Sequence, residues 1–237
     1  MRTIVFDLDG TLVDTAPDLV STLNFVLADE GVPPVAYDDA RRMIGGGSRR
    51  MIERALIAVG RNVPAAELNR MFGAFIAHYG AHIADRSRPF PYLEAVLERL
   101  AAEGYRLAVC TNKLEWLAVK LLDALKLSRY FAAISGQDTF GVQKPDPKIL
   151  RLTIRRAGGN IANAIMVGDS MTDMRTARAA NVPAIAVAFG YSDVPVASLQ
   201  ADRLIGSFAE LPAAIAAIEE QDFSAAATAP LAGGDQP

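Results

Sequence analysis

A chain of 237 residues, of which 51% are hydrophobic and 22% charged, can bury a large core and is long enough for one domain with an insertion. Its formal net charge of −3 offers no basic field, so neither nucleic acid nor an acidic membrane surface is expected as a partner. The single cysteine, Cys110, excludes an internal disulfide framework and fits a reducing cytoplasm, and no apolar run reaches the roughly 18 residues of a membrane span. The opening residues hold two acids among the first nine and do not read as a signal peptide, so a cytoplasmic location is expected.

Thr3 to Phe6 is a short β-prone apolar run bounded at once by Asp7, the pattern of a buried strand in a parallel sheet. Asp9 follows two residues later, beside Gly10, which lets the backbone turn sharply. In open α/β sheets ligands bind beyond the carboxyl ends of the strands, so two acids there point to chemistry. A calcium loop also opens Asp-x-Asp, but it requires glycine in sixth place, glutamate in twelfth and a helix in front. Here glycine is fourth and a strand precedes. A strand-end turn with solvated acids is the other plain reading.

Asp14-Thr15-Ala16-Pro17 reads as a helix start, with a capping side chain and proline near the first turn. Leu19, Leu23, Val26 and Leu27 then recur at helical spacing until Gly31. Asp38 to Ile44 is a short helical stretch ending in Gly45-Gly46-Gly47, and Ser48 is placed to cap the next helix, which stops at Gly60. A third long pattern starts at Pro64 and carries Leu68, Met71, Phe72, Phe75, Ile76 and Tyr79. Nothing from 15 to 87 reads as a strand, so these residues are expected to form a small helical insertion.

From Pro89 strands and helices alternate. Pro91–Glu103 reads as a helix, Tyr105–Cys110 as a strand ending in Thr111-Asn112-Lys113, and Leu114–Leu127 as a helix. Phe131–Ile134, Ala164–Val167, Pro183–Val187 and Arg203–Ile205 read as further strands. Helices are expected after Lys144-Pro145, after Gly168-Asp169-Ser170 and from Phe208 to about Glu220. Such alternation means a doubly wound, Rossmann-like parallel sheet with right-handed crossovers, an α/β core built from 1–14 and 88–221. Residues 222–237, rich in Ala, Gly and Pro, read as a disordered tail.

Asp7, Asp9, Thr111, Asp169 and Asp173 thus fall at the ends of different strands, and Lys144 on a loop before a helix. Parallel strands share one carboxyl edge, so these side chains are expected to converge. Acids and a lysine there suit Mg²⁺, which takes hard oxygen ligands and keeps several waters, and a dianionic phosphate. A carboxylate attacks phosphorus only when the negative charge between them is neutralised.

Asp-x-Asp-Gly-Thr at 7–11, strand-terminal Thr111, the Lys144-Pro145 loop and Gly-Asp-Ser-x-x-Asp at 168–173 stand in the order found in the haloacid dehalogenase superfamily. The chain resembles, within it, the phosphoglycolate phosphatase-like enzymes with a small helical cap, over roughly residues 1–220. The resemblance implies that Asp7 is the nucleophile that forms an aspartyl-phosphate, and that Asp9 first protonates the leaving oxygen and then activates water. It implies that Thr111 holds phosphoryl oxygens with amides near Asn112, and that Lys144 neutralises charge. Mg²⁺ would lie on Asp7, Asp169 and the backbone carbonyl of Asp9, with Asp173 a ligand or a support. An acid at position 9 sorts with phosphatases and phosphomutases rather than dehalogenases.

The expectation is therefore a Mg²⁺-dependent phosphatase acting on a small phosphorylated metabolite, 2-phosphoglycolate first. Its rivals are a β-phosphoglucomutase-like isomerase, a phosphatase for pyrophosphate or a nucleoside monophosphate, and a non-catalytic regulator on the same scaffold. Gly46, Gly47, Arg49 and Arg50 are expected to read the non-phosphate end of the substrate. The arginines fall in the first turn of a helix, where an anion offsets their unfavourable position against the helix dipole. His78 and His82 have the i, i+4 spacing of a zinc pair, but Tyr79 stands where the glutamate of HExxH belongs. Cys110 reads as core packing, and Gly190-Tyr191 as either a loop near the site or a turn.

Overall fold

The computed structural model describes residues 2–192 and 194–228. It begins with β1 (Thr3–Phe6), whose four residues are all buried, and continues into β2 (Val13–Asp14). Four helices follow: α1 (Ala16–Asp29), α2 (Tyr37–Arg41), α3 (Ser48–Ala58) and α4 (Ala65–Ala81). The chain returns through β3 (Arg88–Pro89), α5 (Leu93–Ala102), β4 (Arg106–Cys110), α6 (Glu115–Ala124) and β5 (Ala133–Ser135). It closes with α7 (Pro147–Arg156), β6 (Ala164–Gly168), α8 (Met171–Ala180), β7 (Ala184–Val187), β8 (Arg203–Ile205) and α9 (Leu211–Thr228).

Six strands form one parallel sheet in the order β5-β4-β1-β6-β7-β8. Side chains alternate across it: Ile4 and Phe6 join one buried cluster with α5, α6 and α9, whereas Val5 joins another with α7 and α8. Covered on both faces, the sheet is built from near-continuous apolar runs, as its strands require. Phe6 lies opposite Val109 of β4 and Val167 of β6, so the three central strands end level. That register brings Asp7, Thr111 and Asp169 to one edge.

The helical segment leaves and rejoins the core at one place, because Val13 pairs with Pro89 and Asp14 with Arg88 in an antiparallel ribbon. Among the described residues no strand lies between Asp14 and Arg88. The helices pack on one another through Leu23, Leu27, Met51, Ile52, Met71 and Phe75, all buried. Gly60 closes α3 with φ 70°, a left-handed backbone that glycine adopts without strain. On the core side, α4 approaches α6 closely. A Cβ on Gly80 would lie 3.0 Å from Cη2 of Trp116, and Lys120 donates to the Gly80 carbonyl at 2.7 Å.

Two expected helix caps are not made as expected. Thr15 stands at the N-cap of α1 but makes no capping bond; its hydroxyl donates to Asp9 instead. Ser48 is the first helical residue of α3, and the N-cap is Gly47. The closing helix also runs to Thr228, so the backbone of 222–228 is helical where a disordered tail was expected; 229–237 lie outside the described residues.

Candidate active site

The end of β1 places Asp7 in the interior, with 4% of its surface exposed. Its amide donates to the Val167 carbonyl at 2.9 Å, and its Oδ1 accepts the Leu8 amide at 2.7 Å. Lys144, equally buried, sets its Nζ 2.8 Å from Asp7 Oδ1 and 2.6 Å from Asp173 Oδ1. The loop carrying it is pinned to the end of β4 by Asn112, whose Oδ1 accepts the Lys144 amide at 2.9 Å and whose Nδ2 donates to the Lys144 carbonyl at 3.2 Å.

Asp169 follows β6. Its Oδ1 accepts the Thr11 hydroxyl at 2.9 Å and its Oδ2 the Tyr191 amide at 2.7 Å. Asp173 sits in the first turn of α8 in a capping box with Ser170, accepting that hydroxyl at 2.6 Å and that amide at 3.1 Å. Asp7, Asp169 and Asp173 bring carboxylate oxygens within 4.8 Å of one another.

Three acids thus share one buried ammonium, and the charge does not balance. Burial, with the neighbouring Asp173 and Asp169, pushes Asp7 up to about 8 despite the pull of Lys144. Burial and Asp173 push Asp169 up to about 7, against the Tyr191 amide and the Thr11 hydroxyl. Lys144 is pushed down by burial, but Asp173 and Asp7 outweigh this and hold it charged. A further cation among these oxygens would restore the ionised form of the acids. The donors are all hard oxygen, and Cys110, one residue before Thr111, is a buried thiol that burial pushes up to about 12. The set fits Mg²⁺.

A family model for haloacid dehalogenase-like hydrolases matches residues 4–187. This chain belongs to that family. It is 49% identical over 211 residues to a phosphoglycolate phosphatase of Agrobacterium fabrum, covering 89% of this chain and 91% of the relative. A phosphoglycolate phosphatase of Rhodospirillum rubrum is 39% identical, with 89% of each chain covered. Among solved structures, a predicted phosphoglycolate phosphatase from Haemophilus somnus superposes with a TM-score of 0.82 at 29% identity, covering 89% of this chain and 96% of the other. CbbY from Rhodobacter sphaeroides in complex with phosphate gives 0.74 at 26% identity, with 89% and 96% covered.

In this haloacid dehalogenase-like hydrolase a pocket opens above Asp7. The core contributes Asp7, Asp9, Thr111 and Lys113, and the helical insertion contributes Leu19, Gly45, Gly47, Ser48 and Met51. Thr111 is buried and its hydroxyl accepts the Lys113 amide at 3.2 Å. Asp9 stands apart from the three-acid group. Its Oδ1 accepts the Thr15 hydroxyl at 2.8 Å and lies 2.9 Å from Lys113 Nζ, and its carboxylate is not among the three that group; the metal role expected of Asp9 was through its backbone carbonyl.

Gly47 approaches the core so closely that a Cβ would lie 3.2 Å from the Asn112 carbonyl, and Asn112 Nδ2 donates to the Gly45 carbonyl at 3.2 Å. Gly46, Arg49 and Arg50 do not line this pocket; they border a neighbouring groove with Phe72 and Gln137. Arg49 is held by Asn69 and lies 3.6 Å from Glu53.

Gly190-Tyr191 is a loop at the site. Its amide holds Asp169, the Tyr191 hydroxyl accepts the Ala16 amide at 2.9 Å, and Arg41 of α2 covers the ring at 4.9 Å while donating to the Gly190 carbonyl at 3.0 Å. His78 is paired with the Thr22 hydroxyl at 3.1 Å and His82 with Asp85 at 2.8 Å.

Sequence reasoning assigned no role to Thr11 and Lys113, and left Gly190-Tyr191 open between a loop near the site and a turn. For Lys113 a signal existed: it is the second residue after a strand-terminal threonine.

Proposed function

We propose that this hydrolase is a Mg²⁺-dependent phosphatase that cleaves a small phosphate monoester, 2-phosphoglycolate first, through an aspartyl-phosphate on Asp7. The observation that carries the reading is the buried Asp7 carboxylate, 2.8 Å from Lys144 within a group of three acids. The substrate rests on relatives that bear the name phosphoglycolate phosphatase over nine-tenths of their length.

Asp7 attacks phosphorus, forming the new P–O bond as the ester P–O bond breaks, and Asp9 gives its proton to the departing oxygen. Asp9 Oδ1 is held by Thr15 and Lys113, which leaves Oδ2 for this exchange. Water then attacks the phosphorus, Asp9 takes its proton, and inorganic phosphate leaves with Asp7 restored. Thr111 and nearby amides hold the phosphoryl oxygens while Lys144 offsets the charge of Asp7 and phosphate together. A Mg²⁺ held by Asp7, Asp169 and the Asp9 carbonyl, with Asp173 alongside, would neutralise charge on the nucleophile and the phosphoryl group.

The helices of 15–87 act as a cap, a role supported by the Gly45–Ser48 loop over the pocket and by the paired strands at the root of the insertion. A cytoplasmic setting suits the single buried cysteine, and no helix among the described residues is long and apolar enough to cross a membrane.

Phosphate release from a panel of esters tests the substrate, and 2-phosphoglycolate should give the highest kcat/KM. Asp7→Asn should lower turnover by about 10³-fold or more while the near-isosteric protein stays folded. Substantial activity in that variant would remove the covalent mechanism.

A further inference from the structure

The pocket above Asp7 holds one cation that the phosphoryl chemistry does not use. Lys113 is buried, with 3% of its side chain exposed, and its Nζ lies 2.9 Å from Asp9 Oδ1. The same nitrogen is 3.1 Å from the Tyr79 hydroxyl and 4.4 Å from the centre of the Tyr79 ring. Tyr79 comes from α4 of the helical insertion, so the ammonium is gripped by both parts of the fold. An ammonium has three donors. Asp9 and Tyr79 take two, and the third is left for the pocket.

The neighbourhood selects what that donor meets. The side chains that the insertion sets opposite Lys113 in the pocket are apolar or small: Leu19, Ile44, Met51 and Ser48. Arg49 and Arg50, the other cations nearby, face a different groove. A substrate whose non-phosphate end is negative therefore finds a single counter-charge in the pocket, and it stands beside the acid that serves the leaving oxygen. In 2-phosphoglycolate the carboxylate is attached to the carbon that bears that oxygen. While Asp9 serves the leaving oxygen, a carboxylate on the neighbouring carbon is placed to take the third donor of Lys113.

We infer that Lys113, steadied by Tyr79, is the residue that selects a carboxylate next to the phosphate ester. This rests on the phosphatase reading above and assigns its specificity to the core strand end rather than to the arginines of α3. A buried ammonium that only neutralises Asp9 would make the same contacts in the free enzyme, so the two roles must be separated on substrates.

The test compares 2-phosphoglycolate with ethyl phosphate, which replaces the carboxylate by a methyl group, in wild type and Lys113→Met. Wild type should prefer 2-phosphoglycolate. Lys113→Met should lose several-fold on ethyl phosphate, because Asp9 loses a partner, and at least a further tenfold on 2-phosphoglycolate, mainly in KM. Lys113→Gln, which can still bond Tyr79, replaces Lys113→Met if thermal melting shows that variant unfolded, and the same change in ratio is expected.

A wild-type preference with both substrates falling in parallel in the variant overturns the role of Lys113 and leaves the substrate intact. A wild type indifferent to the carboxylate overturns the 2-phosphoglycolate reading, and the inference with it.

Discussion

Lys144 shows how one side chain serves both folding and chemistry. Its ammonium sits between Asp7 and Asp173, and its backbone is clamped by Asn112, so position and charge are set together. Removing one partner of a buried ion pair leaves charge without compensation, at about 3–5 kcal/mol. Here the acids escape part of that cost by taking up protons, so Lys144→Met should lose about 3 kcal/mol in denaturant melts. Activity should fall by about 10²–10³-fold, because the charge that offsets the attacking group is gone. A variant that melts like wild type would mean that Lys144 is not the counter-ion of these acids.

At the scale of elements, the pocket depends on a backbone that only glycine tolerates. Gly47 has φ 87° and caps α3 against the Asn112 carbonyl. Gly47→Ala should cost about 1–2 kcal/mol in stability and raise KM more than it lowers kcat, since the loop touches the pocket and not the phosphoryl group. An unchanged KM would remove the loop from substrate binding.

The elements also explain what was legible beforehand. The strands and the acids at their ends were readable, because buried parallel strands are apolar runs and a carboxylate directly after one has few reasons to be there. The caps at Thr15 and Ser48 were not legible because a hydroxyl before a helix reads as a capping acceptor, and the sequence shows neither the carboxylate it donates to instead nor the residue at which the helix begins. Thr15 found Asp9, and Gly47 took the place of Ser48. Lys113 was passed over because its burial depends on Tyr79, 34 residues away, and a lysine after a strand otherwise reads as a solvated charge.

For the whole molecule the acid edge sets the response to pH and metal. With folded-state values near 8 for Asp7 and 7 for Asp169, against an ordinary 3.8, the folded protein keeps protons that the unfolded chain has released. Stability of the metal-free protein should therefore fall as pH rises from about 4 to about 8. A cation that binds the ionised acids stabilises only the folded state, so saturating Mg²⁺ should raise Tm by about 5 °C or more at pH 8 and by less at pH 5.5. Scanning calorimetry at both values, with and without chelator, checks the sign. An equal or larger gain at pH 5.5 would contradict it.

The contact of α4 with α6 has an optical consequence. Trp116 is the only tryptophan in the chain, it is 48% exposed, and the edge of its six-membered ring lies against Gly80. The indole therefore marks the seam between the helical insertion and the core without any label. Parting of the two would hydrate the ring and move its emission to the red. A ligand that draws them together would move it to the blue, giving a stopped-flow signal for domain closure in the unmodified enzyme.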